Sequence, residues 1–121
     1  MKISVQLVMT VFLALMLNGC TYQMTNYTMV STRNIDFSQP LKVDINKRVQ
    51  GEDIASIIVI VPLGMSTESQ AMDNAIQQTP NCIGLTNVSI SIYMWYIPLI
   101  YGKTGYVVEG NPVCINTSET K

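Results

Sequence analysis

The sequence predicts a small single domain of the α+β class: a mixed or antiparallel sheet of four to five strands with one helix packed on one face, in the order β-β-β-α-β-β. Three observations carry this expectation. The length, 121 residues, suits one domain. Hydrophobic residues make up 48% of the chain and charged residues 12%, against about 25% charged in average soluble domains, the opposite of the balance that keeps chains disordered. Apolar residues recur mostly with period two, and only one stretch has the helical period.

The elements follow in order. Met29 to Asn34 reads as a first strand. Asp36-Phe37-Ser38-Gln39-Pro40 is a turn, because Pro40 cannot donate to a continuing ladder. Leu41, Val43 and Ile45 alternate with Lys42, Asp44 and Asn46, a half-buried second strand. Gly51-Glu52-Asp53 turns the chain. Ile54 to Val61 is apolar on both faces and β-branched, which reads as a strand covered on both sides; a short buried helix closed by Pro62 is the alternative. Pro62-Leu63-Gly64-Met65 is a loop.

Thr67 to Gln70 matches a capping box, Thr at the cap and Gln three residues later. The helix it opens runs to about Gln78 and carries Ala71, Met72, Ala75 and Ile76 on one stripe. Pro80 ends it. Ile83 to Ile97 is a long strand, with Val88, Ile90, Ile92, Met94 and Tyr96 on one face and Ser89, Ser91, Tyr93 and Trp95 on the other. Pro98 to Gly105 is irregular. Tyr106 to Glu109 is the last strand, and Gly110-Asn111-Pro112 turns before Val113-Cys114-Ile115. Strand, helical connection and strand would permit one right-handed crossover between parallel neighbours.

The first twenty residues carry an address. Met1-Lys2 is a short positive start, and Ile3 to Leu17 runs without charge, the pattern of a secretory signal. The apolar run is about 15 residues, short of the roughly 20 that a spanning helix needs. It ends in Leu17-Asn18-Gly19-Cys20. This resembles the lipobox of bacterial lipoprotein precursors: Leu, a small or polar residue, Gly or Ala, then Cys. Small residues at Asn18 and Gly19 let an extended chain lie in a peptidase groove. The resemblance covers about a sixth of the chain and implies that the Cys20 thiol takes a diacylglyceryl group. The signal, residues 1–19, is then cut away and the new amine acylated.

Such acyl chains would hold the protein on a membrane, since each buried CH₂ contributes about 0.8 kcal/mol and two chains already anchor stably. Thr21 stands where enterobacterial lipoproteins kept at the inner membrane tend to have Asp, so the resemblance implies the periplasmic face of the outer membrane. Residues 20–28 are polar with Tyr22, Met24 and Tyr27 interleaved, and read as a tether. The two tyrosines either sit at headgroup level or cap the core. Residues 29–115 form the α+β domain and residues 116–121 a flexible tail. No motif in the domain points to a particular family.

The chemistry is defined mainly by exclusion. The chain has no histidine, which removes the commonest general base and zinc ligand. Cys82 and Cys114 alone do not make a closed metal site. Glu52 and Asp53 are adjacent in a turn, where carboxylates serve solvation more often than acid–base work. Gly102-Lys103-Thr104 lacks the glycine of a phosphate loop, since Ile97 stands there, and it leads into a strand. Without Lys2, six basic residues face eight acids, a net charge of −2, which disfavours nucleic acid. No enzyme activity, cofactor or metal is expected.

One candidate surface and one candidate bridge remain. Tyr93 to Tyr101 carries no charge. If the helix covers the isoleucine face, Tyr93 and Trp95 are half exposed. With Tyr96, Leu99 and Tyr101 they either dock a partner or close the second face of a small core. The expected function is therefore a non-enzymatic accessory or structural subunit of a membrane-associated complex, bound to an envelope protein partner. The alternative is a periplasmic module for a small ligand or lipid, with Pro98 to Tyr101 as a lid.

Because the resemblance assigns Cys20 to lipid, Cys82 and Cys114 remain to pair in an oxidising compartment. Bridged residues need Cα atoms within about 7 Å. Antiparallel partners have a constant index sum, here 196, which centres the hairpin on Pro98 in a wide loop from about Tyr96 to Lys103. A tight turn at Lys103-Thr104 would instead leave Cys82 about 37 Å from Cys114 along the strand. Pro98 favours the wide form and the glycines the tight one.

Overall fold

The computed structural model of the chain describes residues 2–16 and 20–116. Leu17, Asn18 and Gly19 of the expected lipobox, and residues 117–121 of the expected tail, lie outside the described residues. Helix α1 spans Lys2–Met16. Six strands and a second helix follow: β1 Cys20–Val30, β2 Leu41–Val43, β3 Val49–Ile58, β4 Val61–Leu63, α2 Glu68–Gln77, β5 Cys82–Ile97 and β6 Tyr101–Ile115. The domain is a small α+β unit dominated by its sheet.

The strands lie in the order β1-β5-β6-β3-β4, and β2 pairs with the far part of β6. Every pairing is antiparallel. The parallel crossover permitted by the sequence does not form, because β6 occupies the place between β3 and β5. These two strands run parallel to each other only as the two neighbours of β6.

Several element boundaries differ from the sequence expectation. The segment read as a tether is edge strand β1, paired with β5 from Cys20↔Met94 to Val30↔Leu85. Its Thr and Tyr residues have high strand propensity, and its polarity is that of an edge with mostly exposed side chains. Gly51-Glu52-Asp53 lies inside β3 and Gly110-Asn111-Pro112 inside β6. Pro112 lacks an N–H, but its carbonyl accepts from the N–H of Asp44 at 3.2 Å.

The run from Ile54 to Val61 is not a strand covered on both sides. It breaks at Val59-Ile60, a two-residue turn, and Val61–Leu63 returns as β4. Its β-branched residues suit the sheet, but one face of that sheet is bare, so Ile54 and Ile58 are exposed.

Helix α2 begins as predicted. Thr67 is extended and its side chain accepts from the N–H of Gln70 at 3.3 Å. The reciprocal half of the capping box comes from elsewhere: Asp53 Oδ2 on β3 accepts from the Thr67 N–H at 2.8 Å, while Gln70 reaches Asn74 instead. Ala71, Met72, Ala75 and Ile76 are the buried stripe. They pack on one face of the sheet with Val49, Leu85, Val88, Ile90 and Val108. Close approach requires Gly51, where a Cβ would overlap the Ala71 carbonyl oxygen and the Ala75 backbone nitrogen.

The last hairpin resolves the register. Partner numbers sum to 198 at Ile97↔Tyr101, 197 at Leu85↔Pro112 and 196 at Cys82↔Cys114. The turn is therefore tight but centred on Leu99, and two bulges in β5 each take up one residue. One bulge contains Asn87 at φ 52°, a residue that tolerates the left-handed region. The turn is closed by the Ile100 N–H donating to the Ile97 carbonyl at 3.2 Å. Cys82 and Cys114 form a disulfide.

Candidate functional site

The sheet has two unlike ends, and its rows can be followed by register. The first row from the hairpin tips is Ile58, Tyr101 and Ile97; the fourth is Ala55, Thr104, Met94 and Cys20. Cys20 therefore starts the edge strand three rows, or about 10 Å at 3.4 Å per residue, from the tip row. It is exposed and has no disulfide partner. Before it stands α1, whose side chains from Ile3 to Leu15 are all exposed. No helix among the described residues is long and apolar enough to cross a membrane.

The aromatic candidates divide between the two faces. Tyr93, Trp95 and Tyr101 share the face opposite α2, where Trp95 and Tyr101 pack edge to face with ring centroids 6.1 Å apart. The Tyr101 hydroxyl lies 3.0 Å from that of Ser56. All three rings are half-buried by neighbours in their own sheet, and no second layer covers them among the described residues. Tyr96 lies on the α2 side, over Gly102 and beyond the end of the helix, and its hydroxyl donates to the Val59 carbonyl. Leu99 caps the turn and is 74% exposed.

Sequence reasoning missed the companion of Leu99. The Val59-Ile60 turn lies beside the Pro98–Ile100 turn, and the Val59 N–H donates to the Ile100 carbonyl at 3.1 Å. The signal that could have found it is the unbroken apolar run ending at Pro62, which is as well suited to an exposed apolar hairpin as to a buried strand. Val59 and Leu99 both adopt positive φ, 60° and 61°, where glycine is the usual residue and a β-branched side chain is an outlier.

The remaining polar groups are structural in placement. Asp53 caps α2, and its neighbour Glu52 points to the opposite face, as successive strand residues must. Glu109 pairs with Arg48 at 3.3 Å on the open face, both side chains close to half exposed, so the pair contributes little. Asp36 accepts from the Ser38 hydroxyl and N–H in its turn, and these two bonds hold its carboxyl below the usual range. No group of three or more His, Cys, Asp or Glu converges among the described residues.

On the α2 side, Ala55, Gly64, Met65, Ile92, Thr104 and Tyr106 line a groove of about 260 Å³. That is under the roughly 300–1,000 Å³ of sites that enclose a small molecule. Comparison with known families, curated proteins and solved structures found no match to the chain.

Proposed function

We propose that the protein is a lipid-anchored bacterial envelope protein that acts as a non-enzymatic accessory or structural subunit of a membrane-associated complex, held at the periplasmic face of the outer membrane. The observation that supports the anchor is the position of Cys20. It is an exposed thiol without a disulfide partner at the first residue of the folded sheet, behind an apolar helix whose side chains from Ile3 to Leu15 are all exposed. Among the described residues, cleavage before Cys20 would remove no residue of the core. The open aromatic face with Tyr93, Trp95 and Tyr101 is the surface we assign to the protein partner, because half-exposed Tyr and Trp are enriched in such interfaces.

Cys20→Ser tests the anchor. The expected result is loss of metabolic palmitate label, together with an uncut precursor or a product released to the soluble periplasm. Label retained in Cys20→Ser contradicts the reading.

The partner surface is tested by purification from detergent-solubilised envelopes. A stoichiometric protein partner retained by the wild type and lost by Tyr93→Ala/Trp95→Ala, with little change in melting temperature, is expected. A large drop in melting temperature returns the rings to a structural role. A retained lipid or small molecule in place of a protein favours a binding module.

A further inference from the structure

Charge is segregated along the sheet. In the first five rows from the tips, as far as Ile54, Gly105, Tyr93 and Thr21, the only charged residue is Lys103. The β3–β4 hairpin and the loop as far as Thr67 carry none. Asp53 in the sixth row is the first acid, and it is used to cap α2. Arg33, Asp36, Lys42, Asp44, Lys47 and Arg48 all lie in segments that join the sheet at the far end.

The uncharged end is also the exposed apolar end. Val59, Ile60, Val61, Leu63, Leu99 and Ile100 are all exposed, with Ile60 and Leu99 at 74%. Their backbone polar groups are partly satisfied within the two turns. The Ile100 N–H bonds to Ile97, the Val59 N–H bonds to Ile100, and the Val59 carbonyl accepts from the Tyr96 hydroxyl. Internal pairing of this kind lowers the cost of taking turn backbone out of bulk water. Two bulky apolar side chains are held at positive φ in the turns, so backbone strain is tolerated where the apolar surface is presented.

We propose that the paired turns Val59-Ile60 and Leu99-Ile100 insert into a phospholipid bilayer and stand the sheet upright on it. The inference deepens the lipid-anchor reading and takes the membrane side of Cys20 from it. The dimensions agree. A diacylglyceryl group on Cys20 sets the fourth row at headgroup level, so the tip row lies about 10 Å deeper, within the roughly 5–10 Å that interfacial apolar elements penetrate. Tyr96 and Tyr22, in the second and sixth rows, then flank the headgroups, where amphipathic rings concentrate, and Trp95, in the third row on the face assigned to the protein partner, meets that partner at the membrane surface. The exposed Lys103 is long enough to return its ammonium to the interface. An upright sheet leaves the charged end and the α2-covered core in water.

Trp95 is the only tryptophan and serves as the reporter. The palmitate-labelled full chain is reconstituted into phosphatidylethanolamine–phosphatidylglycerol vesicles containing phosphatidylcholine brominated at shallow acyl positions. Loss of Trp95 emission is expected, and it is expected to be abolished in Ile60→Asp/Leu99→Asp. Both replaced side chains are exposed turn residues outside the core, and the variant is required to keep its palmitate label and its melting transition.

A labelled wild type that is not quenched overturns the insertion and leaves the lipid anchor standing. Quenching that persists in the variant also overturns it. A chain that lacks label yet is quenched when mixed with the vesicles supports the insertion and contradicts the anchor. Absence of both contradicts both. Unquenched dimers that cross-link through the tips overturn the bilayer in favour of a second copy.

Discussion

Replacing Cys82 and Cys114 together by alanine is expected to lower stability by roughly 3–4 kcal/mol. The bridge joins residues separated by 32 positions, and loop-closure entropy alone gives that figure for about 33 residues on the chain-entropy model. The native state offers little compensation, because Cys82 is buried in the main cluster with Cys114 packed against it. The bridge also pins β5 to β6 beyond both bulges, at the point where β2 joins the other edge of β6 through Lys42↔Cys114. In a domain of about 100 residues, each kcal/mol shifts the melting temperature by about 4–8 °C, so a fall of roughly 12–32 °C is expected in thermal unfolding. Equal melting temperatures for the bridged and alanine forms would contradict this account of the hairpin.

Gly51→Ala is expected to cost about 3 kcal/mol, near the upper end of overpacking penalties. Gly51 faces α2 from β3, and the added methyl would collide with backbone atoms of Ala71 and Ala75 rather than with a flexible side chain. The helix must move away. Its separation from the sheet weakens the contacts of Met72 and Ile76 as well as the Asp53 cap on Thr67. Such a loss is a large part of the 5–15 kcal/mol that stabilises a typical domain. Urea unfolding measures it. A second variant, Gly64→Ala, meets no atom within 4 Å, so its cost is confined to the backbone strain of a side chain at φ 114° in an exposed turn, and it is expected to be the smaller of the two. The reverse ranking would remove the close helix–sheet contact from the explanation.

Local signals in the sequence were legible where a short-range rule decides the structure. The α2 stripe Ala71, Met72, Ala75 and Ile76, the Thr67 cap, and the two faces of β5 follow from periodicity and capping chemistry. The bridge was legible as a pairing, but the wide loop from Tyr96 to Lys103 that it implied does not form, since Tyr96↔Gly102 and Ile97↔Tyr101 are paired. What the spacing could not show is that β5 loses two residues to bulges. A turn centred on Leu99 and a bridge centred on Pro98 are therefore compatible.

Strand β1 was illegible for a different reason. Its polarity matches a tether, and only the long free edge of β5 makes it a strand. Glycines and Pro112 in β3 and β6 mimic turns, although Gly51 and Gly102 are there for close approach of α2 and Tyr96. The candidate site was half legible. Leu99 and the rings lie in one contiguous uncharged segment, whereas their alignment with Val59-Ile60 and Cys20 arises from pairing partners 43 or more residues apart in sequence.

The anchor is tested most directly by intact-mass and peptide spectrometry of the protein extracted from membranes of a bacterium that produces it. The account predicts a chain that begins at Cys20, carries a diacylglyceryl thioether and an acylated amine on that residue, and retains the Cys82–Cys114 bridge. A chain that retains residues 1–19, or one that begins at Cys20 with a free, alkylatable thiol, would contradict it.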